Sequence, residues 1–281
     1  MAGPALSYCA EQVRCYDHDR YLTCLFAPAQ RREPLFALYA FNLEVAKTAE
    51  VVSEPMLGRV RLQWWRDAVE AMYAGRPPPH EAIGPLAGAV AQRGLSRAHF
   101  ERLIDAREFD LDGEAPESLP ALEDYAEGTS ASVVLLALEI LGAAAPAAQA
   151  AARHAGIAWA LAGLLRAVPF HARRKRLYLP QDLVGEAGLK VGDLFELRSS
   201  PALRRVVERI AARATEHLGL ARAGRGEVPR AALPALLIAT LAERELAVLR
   251  KSNFDPLRPA VQAKSPWRAW RLTWARLRGR Y

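Results

Sequence analysis

Acidic residues are missing from the end of this chain. After Asp255 there is none, while Arg258, Lys264, Arg268, Arg271, Arg276, Arg278 and Arg280 add seven positive charges. Seven is also the formal net charge of the whole 281-residue sequence, from 38 Lys and Arg against 31 Asp and Glu, so the body is formally neutral. That excludes a cationic face spread over the domain for nucleic acid, and leaves a basic tail suited to an anionic partner. Cysteine is scarce: Cys9, Cys15 and Cys24 follow neither zinc-site nor disulfide-framework spacing, and their odd number suits a reducing compartment. No run of about 18 uncharged apolar residues occurs. The opening MAGPALSYCAEQVR lacks a basic start leading into a continuous apolar stretch, so a cytoplasmic or peripheral protein is expected, not a spanning one. Alternating Val, Ile and Thr runs are nearly absent, which excludes a sheet-built fold, and no period of 20–50 residues marks a solenoid.

What the sequence does have is apolar residues at helical spacing, in a chain that is 51% hydrophobic and long enough for a substantial core. An all-α fold is expected, with one domain over 1–257 and a basic, Trp-rich tail over 258–281. Helices are predicted at 5–24, 31–51, 55–74, 81–92, 96–110, 119–141, 146–168, 201–221, 230–252 and 266–279. They are separated by GRPPP (75–79), DGEAPES (112–118), GAAAP (142–146), GRGEVP (224–229) and DPLRP (255–259). Two of them carry inward faces of small apolar residues: Leu38, Ala46 and Ala49 on one, Ile157, Ala160, Gly163, Leu164 and Ala167 on the other.

The stretches LFALYAFNLEVAKTAE and LLRAVPFHARRKRLYLPQD resemble the two signature helices of the squalene and phytoene synthase family, and YAEGTSASVVLLALEIL (125–141) resembles its Tyr-x-x-Gly segment. The resemblance covers roughly residues 5–250 in order. It implies an isoprenoid-synthase-type helical bundle with a central cavity, and a kinked helix beside that cavity. It also implies cavity positions at Tyr39, Leu43, Tyr125, Gly128, Ala160, Gly163 and Arg166.

Family enzymes that condense prenyl diphosphates carry Asp-x-x-x-Asp on two facing helices. Positions i and i+4 share a helical face, so two such helices gather four carboxylates around the Mg²⁺ ions that neutralise a diphosphate leaving group. Here the first pattern falls on Ala46 and Glu50 and the second on Ala167 and His171. Only Glu50 could ligate a hard cation. Neighbouring polar positions of the family fall on Ala160 and Gly163, and an arginine position falls on Leu43. Condensation by the usual mechanism is therefore not expected, and neither is a cofactor; Mg²⁺ enters only if the chain is a prenyl-diphosphate transferase with an atypical site. VRCYDHDRYLTCLFAP, LFALYAFNLEVAK and VSEPMLGRVRLQWWRDAVEAM resemble instead the family's non-catalytic branch, the assembly factor 6 group of mitochondrial respiratory complex I and its bacterial relatives. That branch implies a pseudoenzyme peripheral on the inner face of a bacterial cytoplasmic membrane. Its partners would be complex I subunits or other assembly factors, with no nucleic acid. An isoprenoid or lipid carrier that keeps the cavity without turnover is the remaining alternative.

Four stretches have more than one reading. Asp17 and Asp19 in DHDRY project to different sides of a helix, which favours a helix-end hydrogen bond or salt bridge over a cation site. In RLQWWRD one tryptophan is expected in the core, with Arg66 paired to Asp67 or Glu70; a partner anchor is the other reading. HARRKR (171–176) is either a solvated helix C-terminus or a direct phosphate contact. In PWRAWRLTWARLRGRY, Trp267, Trp270, Trp274 and Leu277 fall on one helical stripe with Arg268 and Arg271 beside it. Contact with an anionic membrane surface, a protein partner and packing onto the body are all open.

Overall fold

The protein is described by a computed structural model covering residues 6–52, 54–263 and 266–281. Lys264 and the first five residues, which include the expected start of the first helix, lie outside the described residues. Among those described the structure is all-α, with no strand. The longest helix, Pro146–Arg173, opens on a proline, whose missing N–H is no loss in a first turn. Its alanines at 148, 151, 152, 155, 158 and 162 are buried, so neighbours approach closely. Pro201–Ala223, Ile238–Lys251 and Ser132–Leu141 pack around it. By length and composition this helix could cross a membrane, but here it forms the axle of the bundle, with half of its most apolar stretch buried.

The segment resembling Tyr-x-x-Gly is interrupted as expected. Leu119–Ala126 passes through a π turn, Glu127–Ala131, into Ser132–Leu141. The bulge is wedged from both sides. A Cβ on Gly128 would sit 2.5 Å from Ala106 Cβ, and one on Gly156 of the axle would sit 2.4 Å from Ala131 Cα. Glycine here is a condition of helix contact. The core beneath is aromatic: Phe41 meets Trp65 and Phe100 edge-on at 5.2 and 5.4 Å.

Boundaries differ from expectation where tertiary contacts outweigh local signals. Helix 5–24 is two helices, Tyr8–Tyr16 and His18–Cys24, because the Asp17 carboxylate accepts from the Arg20 N–H (3.1 Å) and starts a new helix. The axle runs through Pro169 to Arg173 instead of ending at 168, its last turn held by buried Leu165, Val168 and Ala172. The expected 230–252 helix begins as the short turns Arg230–Ala232 and Leu233–Leu236. Trp65 is buried and Trp64 is not, while Arg66 bonds Asp105 and Glu108 on neighbouring elements, not Asp67 or Glu70.

The tail is a helix, Arg268–Leu277, laid along Ile238–Lys251. Leu272 is fully buried beneath it. At its end Tyr281 is buried too: its hydroxyl donates to the Ala221 carbonyl (2.9 Å), and Arg222 Nε donates to its main-chain oxygen (2.7 Å).

Candidate functional site

The axle and the Ala29–Ala46 helix face each other across a cavity of about 910 Å³. Its apolar wall is built from small residues, Ala46, Ala49, Ala160, Gly163 and Ala167, and the space they leave is real: a Cβ on Gly163 would have no neighbour within 4 Å. Arg166, His171 and Glu50 line it as well, as does Tyr125 from the kinked segment. Three expected cavity positions lie elsewhere. Tyr39 is buried in the core with the Arg20 guanidinium 5.5 Å over its ring. Leu43 packs against the core on another face of its helix, and Gly128 abuts Ala106. None of the three lines the cavity.

The carboxylates that reach the cavity are matched to arginines. Glu50, the one acid among the four pattern positions, is half-exposed and 3.6 Å from Arg174. Asp17 is held by Arg20 at 2.8 Å, Asp110 by Arg107 at 3.0 Å and Asp19 by Arg268 at 2.7 Å. Arg268 also donates to Glu245 (2.9 Å), which is shared with Arg244 (3.0 Å) and Arg166 (3.8 Å). Arg268, expected beside the tryptophan stripe as a membrane or partner contact, is instead buried in an ion-pair cluster on the cavity wall; its position four residues before Leu272 puts both on the inward face.

On the opposite wall Asp110 is the hub. Tyr125 and Tyr178 hydroxyls both donate to its Oδ1, at 2.8 and 2.7 Å, and Arg176 donates to its main-chain oxygen. Burial, and then the Asp110 charge, push the Tyr178 hydroxyl well above the ordinary tyrosine range. His171 lies 4.5 Å from the Tyr178 ring. Burial pushes its imidazole down to about 4, with Arg176 and Arg174 adding to the effect against Asp110, so it is neutral at neutral pH.

Mg²⁺ demands several oxygen ligands with free lone pairs. At the four pattern positions stand two alanines, a neutral imidazole and one carboxylate already facing an arginine. Among the described residues no three His, Cys, Asp or Glu side chains come together as a cation cluster. The residues do not fit the metal centre of the condensing enzymes. What the cavity can do is hold an amphiphile: small apolar residues and arginines both line it, and two buried polar atoms, Asn42 Oδ1 and Ser130 Oγ, have no hydrogen-bond partner among the described residues.

Sequence reasoning missed Asp110, Arg107, Tyr178 and the Asp19–Arg268 pair. Arg176 closes the basic run HARRKR, where charge is the dominant signal, and Tyr178 lies two residues beyond it. Asp110 carries no periodic signal, because it sits on a one-turn helix, Phe109–Asp112.

Outside the cavity, Trp267, Trp270, Trp274 and Leu277 all lie on the surface, with Arg271 exposed beside them.

The family model for squalene/phytoene synthase matches residues 13–278. The chain is 37% identical over 268 residues to the "NADH dehydrogenase (ubiquinone) complex I, assembly factor 6" of Mus musculus, covering 94% of this chain and 80% of that protein. It is 31% identical over 204 residues to the presqualene diphosphate synthase of Rhodopseudomonas palustris, 72% of each. A crystal structure of a dehydrosqualene synthase in complex with ligand superimposes with a TM-score of 0.84 at 20% identity, covering 96% of this chain and 94% of that one. At that identity the likeness is one of fold.

Proposed function

The chain belongs to the squalene/phytoene synthase family, and we propose that it is a non-catalytic member, a membrane-associated assembly factor for respiratory complex I. One observation carries the reading: Ala46 at the end of the Ala29–Ala46 helix, Glu50 on the one-turn helix Thr48–Val51 that follows it, and Ala167 and His171 on the axle stand where metal-assisted ionisation needs four carboxylates, and the surviving one faces Arg174. Likeness to assembly factor 6 supplies the partner class, complex I subunits or other assembly factors. The inner face of a bacterial cytoplasmic membrane is the location this reading favours, with no resident cofactor. Two measurements test it. Purified protein with farnesyl diphosphate and Mg²⁺ should release no diphosphate, and the tagged full-length chain captured from native membranes should bring complex I subunits with it. Steady release abolished by a chelator would sink the non-catalytic reading in favour of a prenyl-diphosphate transferase.

A second reading has its own support. The 910 Å³ cavity, with Asn42 Oδ1 and Ser130 Oγ unpartnered on its wall, suits bound isoprenoid or lipid without turnover. Mass spectrometry of gently purified protein would find a stoichiometric amphiphile if the cavity is a carrier site, and none if it serves only the fold.

A further inference from the structure

The tail helix has two faces of opposite character, and both are accounted for by position. Arg268 and Leu272 point into the body. On the other side Trp267, Trp270, Trp274 and Leu277 follow at i, i+3, i+7 and i+10 and are 67, 66, 49 and 74% exposed. Large apolar side chains aligned in this way on the surface of a folded domain mark something that covers them. Beside the stripe runs a groove of about 630 Å³ between the tail and the Ile238–Lys251 helix. It is lined by Arg225, Lys251, Arg271, Arg278 and Arg280, none of which has an ion-pair partner among the described residues. The one acid there, Glu243, is occupied by Arg222 at 2.7 Å. Arg278 lies over the Trp274 ring at 4.2 Å, so apolar stripe and cationic groove form one continuous surface.

We propose that this surface is a docking site for an anionic phospholipid bilayer, with the tryptophans entering the headgroup region and the groove receiving lipid phosphates. Charge decides the occupant. A groove in which five cations, unpaired among the described residues, stand beside one acid already held by Arg222 matches a sheet of negative headgroups, and tryptophan with its polar N–H is suited to the membrane–water interface. The helix is presented rigidly, since Arg268, Leu272 and Tyr281 fasten it from within. The proposal rests on the membrane association put forward above, not on the role in complex I assembly or on what fills the main cavity.

The test uses the full chain in flotation with two kinds of vesicle: phosphatidylcholine alone, and equal parts phosphatidylcholine and phosphatidylglycerol. The wild type should bind only the second, less so as salt rises, with a blue shift of tryptophan emission. Two independent variants on exposed residues keep the fold, which circular dichroism checks. W270S/W274S removes the apolar part, and K251E/R271E reverses two charges of the groove. Each should weaken binding about tenfold or more. Equal binding to neutral vesicles, unchanged binding by both variants, or no binding by the wild type would overturn the proposal. In the last case, complex I subunits still captured from membranes would leave the assembly reading standing and give the stripe to a protein partner.

Discussion

Replacing Arg268 by methionine would test how the tail is held. The guanidinium donates to both Asp19 oxygens, at 2.7 and 2.8 Å, and to Glu245 at 2.9 Å, and all three side chains are less than a tenth exposed. Methionine keeps much of the length and apolar bulk but no charge. Glu245 retains Arg244, whereas Asp19 has no other ion-pair partner among the described residues. Breaking a buried pair from one side costs about 3–5 kcal/mol, chiefly because a carboxylate is left desolvated and alone. With Arg244 still serving Glu245, the lower end, about 3 kcal/mol, is expected here. For a chain of this size each kcal/mol lowers Tm by about 2–4 °C, so the melt should move by about 6–12 °C. Adding Asp19→Asn to Arg268→Met removes the orphaned charge and should recover about 1–2 kcal/mol of that loss. Urea unfolding of the wild type, both single variants and the double variant closes the cycle. Hydrogen exchange should show the amides of 268–281 opening faster in Arg268→Met. A cost below about 1 kcal/mol, the range of exposed pairs, or strictly additive single effects would refute the reasoning from burial.

The two axle glycines should respond oppositely. Gly156→Ala drives a methyl into the Ala131 backbone and should cost about 1–3 kcal/mol or more, while Gly163→Ala meets open space and should leave stability equal or raised by up to about 1 kcal/mol in thermal melts. His171 gives a pH signature. Its folded-state value of about 4 lies below the ordinary 6.5, so between these the unfolded chain binds a proton that the folded chain refuses. Its contribution is complete above pH 6.5 and fades as pH falls to about 4, by at most about 3 kcal/mol. His171→Gln should flatten the stability profile over that window, and an unchanged slope would mean the ring is not desolvated.

The helical architecture was readable because apolar residues repeat at helical spacing for nearly the whole length, and Ala46, Glu50, Ala167 and His171 do line one cavity, although the expected 31–51 helix stops at Ala46 and Glu50 stands on the separate turn Thr48–Val51. What stayed hidden is pairing between distant positions. Asp19 and Arg268 are 249 residues apart, and Arg66 finds its acids on other elements. No local rule tells which arginine among many meets which acid. Tyr39 and Leu43 were placed at the cavity by motif, yet a helix has more than one buried face, and theirs meets the core. Arg268, expected beside the stripe as a membrane or partner contact, turns inward instead, four residues before buried Leu272 and paired with Asp19.

The π turn at Glu127–Ala131 makes the length of this segment a fixed quantity. One residue more per turn than an α-helix offsets everything after it by about 100°. Deleting a single residue there would let the turn relax to ordinary helix, and Val133, Leu136, Ala137 and Ile140, all fully buried now, would swing away from the partners they fill. The DGEAPES connection a few residues upstream has no such arithmetic, since a loop absorbs a lost residue in its path. Natural length variation should therefore collect in the connection at 112–118 and be refused at 127–131, although both read as short, polar, glycine-bearing stretches.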